Sequence, residues 1–341
     1  MAVIRLLFLS DTHLGLDEPA RPRIERRRRG PDFFAAMGHA LEAARRLQVD
    51  AVVHGGDLFF RSRISLSLAH RGLAPLIALA DQGFPILLVP GNHERSRIPR
   101  GLLACHPNLL IFDRPRTFTL TLQGQAVAFT GFPFESGDVR SRFPALVEQA
   151  CADSATQPAF LCIHQIVEGA KVGPGEYVFR SGEQVIRGAD IPVGFQAVLA
   201  GHVHRAQVLT ADLFGRRLSC PVLYAGSTER TSFAEKDEVK GYFTLEWDAG
   251  DSSLRWLFQP LPVRPMLRLR FELSSSREET ERRLQAELQR LDPQSVVQLE
   301  LAGVPGAGGL TEAAVRRMAP PSMNVSLRWR PLRSSSTHGD G

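Results

Sequence analysis

Five short apolar runs in this chain each end in polar residues suited to metal coordination. Residues 4–10 lead into Asp11-Thr12-His13, and 50–54 into Gly55-Gly56-Asp57. Residues 84–90 lead into Gly91-Asn92-His93-Glu94, 159–163 into His164, and 196–200 into Gly201-His202-Val203-His204. Apolar runs of this length, closed by glycine or polar residues, read as buried strands. Between the first three, residues 33–48 and 65–81 carry apolar residues at helical spacing, and Asp32 is placed to cap the first helix. Strand, helix and strand in alternation require parallel pairing, with helices covering the sheet. In open sheets of this kind functional groups gather at the carboxyl ends of strands, where all five clusters fall.

The pattern then becomes strand-rich. Residues 117–122 and 125–131 read as strands joined at Gln123-Gly124, followed by a helix over 141–152. Residues 171–190, rich in glycine and charge, read as a surface excursion; further strands are expected over 206–210, 222–225, 242–247 and 254–258. The fold class is thus α/β, with two packed β-sheets flanked by helices over residues 1–259. The proline-rich stretch 259–265 marks a domain boundary. Residues 266–331 read as a small α+β module and 332–341 as a disordered tail. Gly303-Val304-Pro305-Gly306-Ala307-Gly308-Gly309 lacks the spacing of a nucleotide-binding loop and reads as a turn. No phosphate-binding GxxxxGK[ST] loop occurs, so ATP hydrolysis by this chain is not expected.

At 341 residues the chain accommodates one large core and a smaller module. It has no apolar stretch approaching the roughly 18 residues of a membrane span, and Arg5 interrupts the first apolar run, against a signal peptide. The cysteines Cys105, Cys151, Cys162 and Cys220 form no CxxC pair, so reduced thiols in a cytoplasmic protein are expected. The net charge is +5, and lysine appears only at Lys171, Lys236 and Lys240. Arginine supplies the other basic side chains, and its planar fork suits phosphate oxygens. Six arginines lie within residues 21–29, directly after the first cluster, among them Arg26, Arg27, Arg28 and Arg29. Arg61 and Arg63 follow Asp57 as closely. Such charge runs are commonly solvated loops; lying beside the first two clusters, these arginines are also candidates for contact with the phosphates of a polyanion such as DNA.

The candidate metal ligands are Asp11, His13, Asp57, Asn92, His164, His202 and His204. Carboxylates, an amide oxygen and imidazoles without thiolate suit Mn²⁺, Fe²⁺ or Zn²⁺ and argue against a structural cysteine zinc site. Seven ligands are too many for one ion and suit two, if one carboxylate bridges. Two ions roughly 3.5–4 Å apart can clamp a phosphate and lower the pKa of a water towards about 7. His39, His54, His70, His106 and His338 lie outside the clusters and read as structural.

The same residues, in order and spacing, resemble the calcineurin-like metallophosphoesterase superfamily. Within it, Ser10-Asp11-Thr12-His13-Leu14-Gly15, Gly56-Asp57-Leu58-Phe59 and the run from Tyr224 to Phe233 resemble the SbcD-type DNA-repair nuclease subunit. The superfamily resemblance covers about residues 3–230. By it, Asp11, His13, Asp57 and His204 would hold one ion. Asp57, Asn92, His164 and His202 would hold the other, with Asp57 bridging. His93 would face the scissile phosphate as the catalytic residue, protonating the leaving oxygen or stabilising its charge. The resemblance further implies manganese, DNA phosphodiester hydrolysis by an exonuclease or endonuclease, a homodimer and an SMC-like ATPase partner. The module after residue 265 matches that family's DNA-capping domain in position and size only.

Two features depart from the pattern. Family members carry histidine or aspartate three residues after the bridging aspartate, in support of the catalytic histidine; Phe60 stands there, with His70 as a candidate substitute. No further helical segment for docking an ATPase is recognisable after the module. Two other readings stay open beside the nuclease: a phosphoesterase of small molecules, and a non-catalytic scaffold that binds DNA.

Overall fold

The computed structural model describes residues 3–19, 21, 26–94, 106–151, 158–302 and 310–330. Cys105, the turn at 303–309 and the tail at 332–341 lie outside the described residues. Two compact units make up the chain: Met1–Glu18 with Gly30–Val263, and Pro19–Arg29 with Arg264–Gly341.

In chain order the first unit begins with β1 (Val3–Leu9), α1 (Gly30–Leu47), β2 (Ala51–His54), α2 (Leu66–Ala80), β3 (Ile86–Leu88) and β4 (Leu109–Ile111). It continues with β5 (Arg116–Leu122), β6 (Gln125–Gly131), α3 (Val139–Cys151) and β7 (Ala159–Ile163). The excursion expected over 171–190 contains short ladders: β8 (Ile166–Val167) pairs with β11 (Val185–Ile186), and β9 (Lys171–Val172) with β10 (Tyr177–Val178). Then come β12 (Ala197–Ala200), β13 (Gln207–Ala211), β14 (Arg217–Tyr224), β15 (Gly241–Asp248) and β16 (Ser253–Pro260).

The first sheet runs β16-β15-β1-β2-β3-β4, and β1 through β4 pair in parallel, with α1 and α2 as the crossovers from β1 to β2 and from β2 to β3. The second runs β13-β14-β12-β7-β6-β5. Alternation along β1 shows how the layers form. Ile4, Leu6 and Phe8 join Phe129, Phe160, Leu199 and Leu223 in a core between the sheets. Leu7 and Leu9 face the other way and pack with Phe33, Met37, Leu41 and Leu73 of α1 and α2. On the outer face of the second sheet, Phe143 and Val147 of α3 cover Leu161, Val198 and Val222. The result is two sheets flanked by helices. Each strand at the centre is buried on both faces, which is why these segments read as continuous apolar runs.

Several boundaries shifted from expectation. α1 begins at Gly30, which puts Asp32 inside its first turn instead of at the cap. β14 begins at Arg217, five residues before the strand expected over 222–225; its first half alternates exposed and buried residues, which no apolar run reveals. β16 runs to Pro260, into the stretch expected as a break. It pairs only with β15, and an edge strand tolerates proline because one row of its N–H groups needs no partner. The two units divide between Val263 and Arg264.

In the second unit β17 (Met266–Phe271), α4 (Arg277–Arg290), β18 (Val296–Ala302), α5 (Glu312–Met318) and β19 (Asn324–Arg330) alternate. The three strands, expected as part of an α+β module, all pair in parallel, since each consecutive pair is joined by a crossover containing a helix. Leu284, Leu288 and Val315 of the helices pack on Val297, Leu299 and Leu301. The unit also takes in the described part of the arginine-rich segment. Arg27 donates from Nη1 to Gln294 Oε1 at 2.8 Å and to the Ser322 carbonyl, and Asn324 Nδ2 donates to the Arg27 carbonyl at 2.9 Å.

Candidate metal centre

The loops after β1 and β2 are laced together by main-chain bonds. Asp11 donates its N–H to the Gly56 carbonyl at 2.9 Å, His13 to Asp57 at 3.0 Å and Leu14 to Leu58 at 2.9 Å. Backbone curvature does the aiming: Asp11 (φ 52°), His13 (φ 46°), Asp57 (φ 51°) and His202 (φ 82°) all occupy the left-handed region. That conformation costs a non-glycine residue roughly 1–3 kcal/mol, so the surrounding contacts must enforce it. Two glycines make room. A Cβ on Gly91 would strike the Asp57 carboxylate and amide, and one on Gly201 would strike the Gly55 carbonyl and Ser10 Oγ. Glu94 fastens the third loop to the second, its carboxylate accepting from Phe59 N–H at 2.7 Å and Gly91 N–H at 2.9 Å.

All seven side chains anticipated as ligands converge here. The His13 and His204 Nε2 atoms stand 2.9 Å apart, and lie 3.9 and 3.8 Å respectively from Asp11 Oδ1. His13 Nε2 is also 3.9 Å from Asp57 Oδ2, and His164 Nε2 is 3.5 Å from that oxygen. Asn92 Oδ1 faces both His164 Nε2 at 3.0 Å and His202 Nδ1 at 2.7 Å. Donor atoms of Asp11, His13 and His204 lie mutually within 4.8 Å, as do those of Asp11, Asp57 and His164. Asp57 belongs to both sides of the cluster. A third grouping, His13, Asp57 and His93, meets the same distance, so proximity alone does not set His93 apart from the ligands.

The charges in this pocket are strongly coupled. Burial would raise the Asp57 carboxyl, but His164, His13 and His93 hold it below the usual carboxylate range. For Asp11 burial prevails over His164 and His204, and its carboxyl is raised. His164 goes the other way from its burial: Asp57 and Asp11 lift it to about 9. Burial and neighbouring imidazoles push His202 down to about 3 and His13 well below its ordinary value. His204 is raised against its burial by the hydrogen bond to Glu235 and the charge of Asp11. Imidazolium and carboxylate thus compensate one another where a divalent ion could do so. Hard carboxylate and amide oxygens together with imidazole nitrogens, converging without thiolate, fit Mn²⁺, Fe²⁺ or Zn²⁺.

His93 has its Nε2 3.7 Å from Asp57 Oδ2, and its side chain is 32% exposed, so it borders solvent. Its N–H donates to Asp57 Oδ1 at 2.9 Å. Its Nδ1 bonds the main-chain carbonyl of Phe60. The support that a phenylalanine side chain cannot give is given by its backbone, which no residue type discloses. No contact of His70 with His93 is found among the described residues; His70 lies on α2 with its side chain exposed. Arg61 and Arg63 are exposed, with the Arg61 guanidinium 5.8 Å from the centre of the Phe60 ring. Arg26, Arg27 and Arg28 are half-buried and Arg29 is 9% exposed, all within the second unit.

Three residues stand behind the prospective ligands, of which sequence reasoning read His54 as structural and missed Glu235 and Lys240. His54 is fully buried, with Nε2 3.1 Å from Thr12 Oγ1 and Nδ1 accepting from Gly56 N–H at 3.2 Å; burial lowers it to about 3. Glu235 bonds His204 Nδ1 at 3.0 Å, and Lys240, with no exposed side-chain surface, bonds Glu235 at 2.7 Å. The rarity of lysine was the one available signal: one of only three is buried whole.

The calcineurin-like phosphoesterase family model matches residues 4–206. The DNA double-strand break repair protein Mre11 of Haloferax volcanii is 30% identical over 98% of this chain and 69% of its own. Its namesake in Halobacterium salinarum is 32% identical over 70% of this chain and 55% of its own, so the chain spans about half to two thirds of these relatives. A dimetal phosphatase from Danio rerio superposes over 75% of this chain and 96% of its own with a TM-score of 0.47 and 11% identity, too loose a likeness to bear on the site. No helix among the described residues is long and apolar enough to cross a membrane. With the match running from β1 through the His202-His204 pair, the chain belongs to the calcineurin-like phosphoesterase family and is a metal-dependent phosphoesterase.

Proposed function

We propose that this chain is a Mn²⁺-dependent nuclease that hydrolyses phosphodiester bonds in DNA, in the manner of the repair nucleases it resembles. The observation that carries the reading is the convergence of Asp11, His13, Asp57, Asn92, His164, His202 and His204 from five strand ends, with His93 on the solvent side. Asp11, His13, Asp57 and His204 would hold one ion and Asp57, Asn92, His164 and His202 the other. When bound, two divalent ions would supply Lewis acidity towards the phosphate and a water acidic enough to attack near neutral pH.

The chain's own side chains would do the rest. His93, fixed by the Phe60 carbonyl at Nδ1 and by its N–H on Asp57, presents Nε2 at the open face, where it would give a proton to the leaving oxygen. Arg61 and Arg63, exposed a few residues beyond Asp57, would neutralise flanking backbone phosphates. DNA is the favoured substrate on two supports: the repair proteins of Haloferax and Halobacterium noted above, and the small second unit that follows the phosphoesterase portion. A homodimer and an SMC-like ATPase partner are part of this proposal on resemblance alone.

End-labelled single- and double-stranded DNA, digested with Mn²⁺ by wild type and by His93→Ala, tests it. Cleavage by the wild type and its loss in the variant is the expected result. Hydrolysis of small model diesters with no action on DNA would transfer the reading to a small-molecule phosphoesterase.

A further inference from the structure

The four imidazoles of the cluster are not supported alike. His164 Nδ1 lies 2.7 Å from the neutral carbonyl of Gly55. His202 turns Nδ1 to Asn92, and His13 Nδ1 is buried with no hydrogen-bond partner among the described residues. His204 alone is backed by a carboxylate, Glu235 Oε1 at 3.0 Å from Nδ1, while its Nε2 faces His13 and Asp11.

That carboxylate is itself held from several sides. Lys240 Nζ reaches Glu235 Oε2 at 2.7 Å, Glu238 Oε2 at 2.8 Å and the main-chain carbonyl of His204 at 2.9 Å. The ammonium is thus hydrogen-bonded to Glu238 and to the His204 carbonyl and ion-paired with Glu235. Thr231 N–H donates to Glu235 Oε2 at 3.2 Å, and Thr231 Oγ1 donates to Oε1. Glu235 closes a short 3₁₀ turn, Phe233–Glu235, whose N-cap Ser232 accepts from Ala234 N–H. One lysine thus grips His204 twice, directly at its carbonyl and through Glu235 at its ring.

From this network we infer that Glu235 and Lys240 are positioning residues that make the two ion positions unequal, the one containing His204 being the tighter. The inference rests on the reading of His204 as a ligand. A carboxylate accepting Nδ1–H leaves Nε2 as the free electron pair, directs it at Asp11 and His13, and makes it more basic than an imidazole backed by a neutral carbonyl. Lys240 balances the carboxylate's charge, so Glu235 stays an anion in a buried place. A network that only braced the fold would have no reason to select a tautomer.

The test is calorimetric titration of the metal-stripped full chain with MnCl₂, for wild type, Glu235→Gln and Glu238→Gln. Two binding events are expected in the wild type. Glu235→Gln should weaken the tighter by about 10–100-fold and leave the weaker in place. Glu238→Gln, which touches Lys240 but not His204, should leave both unchanged. Equal weakening of both events, or none, in Glu235→Gln overturns the inference while leaving the metal site standing. No binding by the wild type overturns the reading of the site itself. Should Glu235→Gln not fold, the wild type loaded with Cd²⁺ decides by ¹⁵N–¹H correlation. A protonated Nδ1 on His204 supports the inference, and a protonated Nε2 overturns it.

Discussion

The ring of His93 is anchored at Nδ1 on the main-chain carbonyl of Phe60, so the phenyl group contributes no hydrogen bond to the histidine. The phenyl lies alongside instead, its centre 5.6 Å from that of the imidazole. Phe60→Ala should therefore lower DNA cleavage by less than about tenfold, whereas His93→Ala should lower it by about 10²–10⁴-fold, the usual worth of a positioned acid. Steady-state rates with saturating Mn²⁺ compare them. A loss in Phe60→Ala as deep as that in His93→Ala would mean that the ring, not the carbonyl, holds the histidine.

Metal binding should release protons. His164 titrates near 9 and His204 above its ordinary value in the metal-free cluster, and a ligand imidazole must be neutral at the coordinating nitrogen. Apparent Mn²⁺ affinity should rise from pH 6 to 9, with proton release visible as a dependence of the binding enthalpy on the buffer's ionisation enthalpy. Affinity independent of pH over that range would contradict the assignment.

The same group predicts the pH dependence of the stripped protein's stability. The folded value of His164, about 9, lies above its ordinary 6.5. Protonation of His164 therefore stabilises the fold fully below about pH 6.5, and that contribution is lost as pH rises through 9. Thermal unfolding in chelator should show a falling Tm over this window. The His164→Gln variant should show a shallower slope, with only the raised His204 still contributing.

Arg27 is expected to matter for the second unit's stability. Its bonds to Gln294 Oε1 and the Ser322 carbonyl, with Asn324 returning one to its own carbonyl, tie the arginine segment to the turns before β18 and β19. Arg27→Ala should destabilise that unit by about 1.5–3 kcal/mol, the worth of a charged hydrogen bond. Faster amide exchange across Val296–Ala302 and Asn324–Arg330 would report it. Unchanged exchange there would show the bonds to be dispensable. Exposed Arg61→Ser, by contrast, should leave the unfolding free energy within about 0.5 kcal/mol of wild type and act only on DNA affinity and its salt slope.

Gly201 should not tolerate alanine. Any Cβ there meets the Gly55 carbonyl, Ser10 Oγ and His164 Nδ1 at once, so the strand end bearing His202 and His204 must shift. Gly201→Ala is expected to lose Mn²⁺ binding at stoichiometric metal, whereas Gly83→Ala, which meets nothing within 4 Å, should keep it. Its positive φ of 92° makes that control mildly destabilising without touching the site.

Much of this protein is written locally in its chain. β1, β2, β3, β7 and β12 are apolar on both faces, and such runs are legible because burial in a parallel sheet demands them. The seven prospective ligands were legible for a related reason: each follows such a run immediately, where the strand's end leaves it at one rim of the sheet. Other features have no local signature. The Phe60 carbonyl exists at every residue and becomes a support only when the loops after β2 and β3 meet. Glu235 and Lys240 belong to an unremarkable charged stretch until β15 lies beside β1 and brings them behind His204. The arginines of residues 26–29 read from sequence as one exposed run, yet Arg27 is committed to bonds with residues almost 300 positions away in the chain. Hydrophobic period and strand-end position are properties of neighbours in sequence, so the chain alone determines the central strands and the prospective ligands at their ends. Hydrogen-bond partnership is a property of neighbours in space, and only the tertiary structure decided what holds His93 and His204 in place.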